Sequence, residues 1–109
     1  EAPEDVLLDA VDRGDLRLGT YGDVTRWHAR HRARVPGAAA TLPDHFEHMD
    51  VYIVKRAFRI PPGLAGAHAV VFIVPEGAPM PKGDPGHSPI LDMDSGACRG
   101  SICMLLRQD

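Results

Sequence analysis

The chain has 109 residues, 44% of them apolar and 25% charged, with a net charge of −3. That size fits one domain spanning 1–109, and the composition excludes bulk disorder. The negative balance argues against a general nucleic-acid binder, whose domains are strongly basic, and no apolar run approaches the roughly 18 residues of a membrane helix.

The first predicted element is a helix over 3–13. Pro3 suits its first turn, Glu4 and Asp5 suit the positive end of its dipole, and Leu7, Ala10 and Val11 share a face. Gly14 is the expected stop. A second helix is predicted over 21–34, with Thr20 as N-cap and Asp23 as the partner residue of a capping box. On it Val24, Trp27, His31 and Val35 form one stripe, and Arg26, Arg30 and Arg34 form another; Pro36-Gly37 ends it. Residues 1–15 carry six acids against Arg13, whereas 26–34 carry four arginines and no acid. Mutual attraction between the two segments is the expected outcome.

Leu42-Pro43-Asp44 opens a single helical turn through Met49. The period then changes. Residues 51–60 predict a strand with Tyr52, Val54, Phe58 and Ile60 on one face, interrupted by Arg56. Pro61-Pro62-Gly63 and the link to Ala67 predict a hairpin loop. The unbroken apolar run of 68–74 predicts a central strand buried on both sides, with the helices covering one face and something else the other. Five prolines make 75–89 a long loop, and 90–93 and 102–106 are short strand candidates. The fold class these elements predict is α+β. Two N-terminal helices pack on a small, mainly antiparallel sheet of about four strands, with the helical part about 3–35 and the sheet part about 51–107.

The candidate functional residues fall into four groups. Arg26, Arg30 and Arg34 present donor forks suited to an anion or an acidic partner, and Trp27 beside them could stack on a base. The simpler reading is a solvated face partly paired with the acidic first helix. His28 with His31 and His45 with His48 make two His-x-x-His pairs that suit zinc or copper. Neither is the His-Glu-x-x-His of zinc proteases, and the simpler reading packs His31 on the core stripe and leaves the others in solvent. His45, Glu47, His48 and Asp50 are the candidate catalytic set if the chain is an enzyme.

Cys98 and Cys103 can close a disulfide across Gly100 if their Cα atoms come within about 7 Å. Such a pairing, with a start at Glu1-Ala2-Pro3 that either a removed export signal or a domain boundary would leave, predicts a periplasmic or secreted location. Ten arginines against two lysines and no asparagine fit a GC-rich coding bias and hence a bacterial source. Asp92-Met93-Asp94-Ser95-Gly96 lacks the ligand set of a calcium loop and is read as a turn. His87-Ser88 lacks any relay context, and no Gly-x-Ser-x-Gly elbow or phosphate loop is present. The functional expectation is a small ligand- or protein-binding module without catalytic activity. The alternatives are a histidine-based metal-binding protein and a small enzyme.

Overall fold

The computed structural model describes residues 2–34, 44–64, 69–82 and 103–107. Helix α1 runs Pro3–Arg13, strand β1 Leu16–Leu18 and helix α2 Tyr21–Arg34; a 3-10 turn at Asp44–His48 then leads into the remaining strands, β2 Asp50–Val54, β3 Val70–Val74 and β4 Cys103–Arg107. The class is α+β, with two N-terminal helices on a four-stranded sheet of order β1-β2-β3-β4.

Helix α1 begins with Pro3 in its first turn and places Glu4 and Asp5 where the dipole favours acids. It stops at Gly14, whose φ of 82° is left-handed. The Gly14 N–H donates to Val11 O at 3.0 Å and the Asp15 N–H to Ala10 O at 2.9 Å, which satisfies two terminal carbonyls. Helix α2 opens on the predicted cap: the Asp23 carboxylate accepts the Thr20 backbone N–H at 2.8 Å.

The sheet is mixed and mostly parallel, not mainly antiparallel. β1 runs antiparallel to β2, while β2–β3 and β3–β4 are parallel pairs. A strand buried at every position fits a parallel interior, and β3 is buried from Val70 to Val74. Parallel neighbours exclude a hairpin between β2 and β3, because the chain must cross back over the sheet. Pro61-Pro62-Gly63 is therefore a turn within that crossover. The predicted strand over 51–60 ends at Val54 for the same reason. Phe58 and Ile60 still share a core with Tyr52 and Val54, together with Leu64. An isolated parallel bridge joins Arg59 to Lys82, with the Lys82 N–H donating to Phe58 O and the Ile60 N–H to Lys82 O.

The two helices lie on opposite faces, which corrects the expectation that both cover one. Side chains alternate across a strand. Tyr52, Val54, Val70, Phe72, Val74 and Leu105 pack with Leu7 and Ala10 of α1. Val51, Ile53, Val71, Ile73 and Leu106 pack with Val24 and Trp27 of α2 and with Phe46 and Met49 at the 3-10 turn. The acidic first helix and the basic second helix are thus separated by the sheet.

Strand β1 is too short to show a period in sequence. It follows from the Gly14 stop and is held by pairing of Leu16 with Val54 and Leu18 with Tyr52. The strand candidate at 90–93 lies outside the described residues, and that at 102–106 is β4, shifted by one position.

Candidate functional site

The sheet's α2 face carries a depression of about 200 Å³ lined by Arg17, Asp23, Arg26, Arg30, Ile53, Ile73 and Pro75. Its construction follows from register. Arg17 pairs with Ile53 across β1 and β2, so its side chain projects on the same face as Ile53, toward α2. Asp23, Arg26 and Arg30 stand three and four residues apart, one line along a helix. Ile53 and Ile73 sit next to the carboxyl ends of two parallel strands, and Pro75 follows β3 directly. The depression thus lies by the carboxyl ends of the parallel pair β2–β3, beside the antiparallel edge strand β1.

Among the described residues three guanidiniums meet one carboxylate here. Arg26 pairs with Asp23 within the helix, so its partner is not an acid of α1. Among the described residues neither Arg17 nor Arg30 forms a salt bridge. Burial alone would raise the Asp23 carboxyl. The Thr20 N–H, the Arg26 hydrogen bond and the charges of Arg26 and Arg17 together outweigh burial and hold its pKa below the ordinary value. Asp23 is therefore ionised at neutral pH, and the described residues of the site carry a local charge of about +2, counting full charges on the guanidiniums and the carboxylate. Two of the three predicted arginines, Arg26 and Arg30, are exposed and line this site. The side chain of Arg34 lies outside the described residues. Arg17 was missed in sequence, because its place depends on pairing between β1 and β2 that no local pattern announces.

The histidine pairs fare differently. His28 is buried with 8% exposure, against the expectation that it is solvated. His48 is exposed, and the side chains of His31 and His45 lie outside the described residues. Among the described residues no three His, Cys, Asp or Glu side chains are grouped to hold a metal. Glu47 and Asp50 are exposed. Neither they nor His48 line this depression or the larger one, of about 380 Å³, between α1 and residues 57–62. Trp27 is buried in the core, so it is not a platform for a base. Cys98 lies outside the described residues; Cys103 opens β4, and its side chain is likewise outside them. His87, Ser88 and the turn at 92–96 also lie outside them.

No helix among the described residues is long and apolar enough to cross a membrane. No family model matches the chain, nor does any curated protein or solved structure.

Proposed function

We propose that this protein is a non-catalytic binding module for a small anionic ligand, held in the Arg17/Arg26/Arg30 depression. The observation that supports this reading is convergence: one arginine from an edge strand and two from a helix line a single hollow with one acid among its described residues. Guanidinium groups present planar donor forks to carboxylate or phosphate oxygens. Among the described residues the lining holds no histidine, cysteine, serine or second carboxylate, the side chains that commonly move protons or attack substrates.

The site is shallow and its arginines are exposed, so the affinity is expected to fall as salt rises. Titration with inorganic phosphate at low ionic strength, followed by backbone amide shifts, tests the reading. Shifts should cluster at residues 17, 23–30, 53 and 73–75. Shifts scattered over the surface, or none, would overturn it.

A further inference from the structure

We infer that the ligand is a small organic phosphate monoester, bound by its dianionic head with its carbon body on the isoleucine floor. This rests on the anion-binding reading above and narrows it.

The charge count sets the head group. Asp23 offsets one of the three guanidiniums through its pair with Arg26, and Arg17 and Arg30 have no salt bridge among the described residues. A net local charge of about +2 is matched by a phosphate monoester, which carries roughly −1.5 to −2 at pH 7 and offers three acceptor oxygens. A lone carboxylate supplies half that charge and two oxygens. The donors come from two elements, β1 and α2, and a phosphate head offers them three acceptor oxygens where a carboxylate offers two.

The floor sets the rest. Ile53 and Ile73 line the bottom and are nearly buried, at 8% and 3% exposure, and Pro75 adds a further apolar wall. A purely hydrophilic ion gains nothing from that surface, whereas a short apolar body does. Enclosure is limited. A volume of about 200 Å³ lies below the roughly 300–1,000 Å³ of sites that bury a drug-sized ligand. It takes the head and a few carbon atoms, and leaves any larger remainder in solvent.

Calorimetric titration of the full chain with phenyl phosphate, inorganic phosphate and benzoate tests this, with Arg17→Gln and Arg30→Gln variants shown by circular dichroism to be folded. Phenyl phosphate should bind at least about tenfold tighter than either of the others, and each variant should lose that affinity about tenfold or more. Equal binding of phenyl phosphate and inorganic phosphate would overturn the apolar half of the inference and leave the anion site standing. Equal binding of benzoate and phenyl phosphate would overturn the dianion half in the same way. Failure of all three to bind, or binding that survives both substitutions, would overturn the anion site itself.

Discussion

The Asp23 carboxylate accepts the Thr20 backbone N–H at 2.8 Å and also pairs with the Arg26 guanidinium. One side chain thus closes the first turn of α2 and sets the charge of the hollow beside it. Its pKa is depressed, so it stabilises the fold above the ordinary value of 3.8 and loses that contribution as pH falls through the lower folded value. Asp23→Asn should cost about 1 kcal/mol at pH 7. The difference from the parent chain should shrink as pH falls below 3.8 and the parent carboxylate becomes protonated too. Urea unfolding across that range checks this. A difference that grows on acidification would contradict the assignment.

Gly19 is fixed by close approach. A Cβ there would stand 2.8 Å from Val51 Cγ1 and 3.1 Å from Asp23 Oδ2. Its N–H donates to Val51 O at 2.8 Å, which ties the end of β1 to β2. Gly19→Ala should destabilise by about 1–3 kcal/mol through overpacking. Because the clash is with a valine methyl, Val51→Ala should cost less in the Gly19→Ala background than in the parent chain. A double-mutant cycle of unfolding free energies measures that coupling, and strict additivity would mean the strain lies elsewhere.

Phe72 is fully buried at the centre of β3. Its ring lies 6.0 Å from that of Tyr52 and 5.6 Å from that of Phe58, both tilted. Phe72→Ala removes the aromatic centre of the α1-side core and should cost about 3–5 kcal/mol. Chemical denaturation gives the value, and a loss under about 1 kcal/mol would be that of a surface position.

Both helices were legible because their signals are local. Pro3, Gly14, Thr20 and Asp23 stand where caps and dipoles require them. The apolar run at 68–74 likewise announced a strand buried on both faces, which the structure places at Val70–Val74. Strand direction was not legible. Pro61-Pro62-Gly63 makes a turn in a hairpin or in a crossover alike, and the choice depends on which neighbours Val70–Val74 pair with. Half of the site followed the same division. Arg26 and Arg30 share a helical stripe that spacing reveals, while Arg17 joins them only through its pairing with Ile53.

The last prediction separates charge from scaffold in the hollow. The Arg26 side chain is 71% exposed, so Arg26→Ala should change stability by only about 0.5 kcal/mol. Its effect on phenyl phosphate binding should be larger than the loss of one donor. Without Arg26 the Asp23 carboxylate keeps its Thr20 bond but loses its salt-bridge partner, and it then repels the incoming anion. Affinity should fall by at least about tenfold. Adding Asp23→Asn removes the repulsion and returns the site to two guanidiniums with no opposing acid, a local charge again of about +2. The double variant should therefore bind within a few-fold of the parent chain while Arg26→Ala alone does not. Titrations of the parent, both single variants and the double variant at one ionic strength measure this. If the double variant binds no better than Arg26→Ala, Arg26 acts through direct contact with the ligand and the net charge of the hollow does not govern binding.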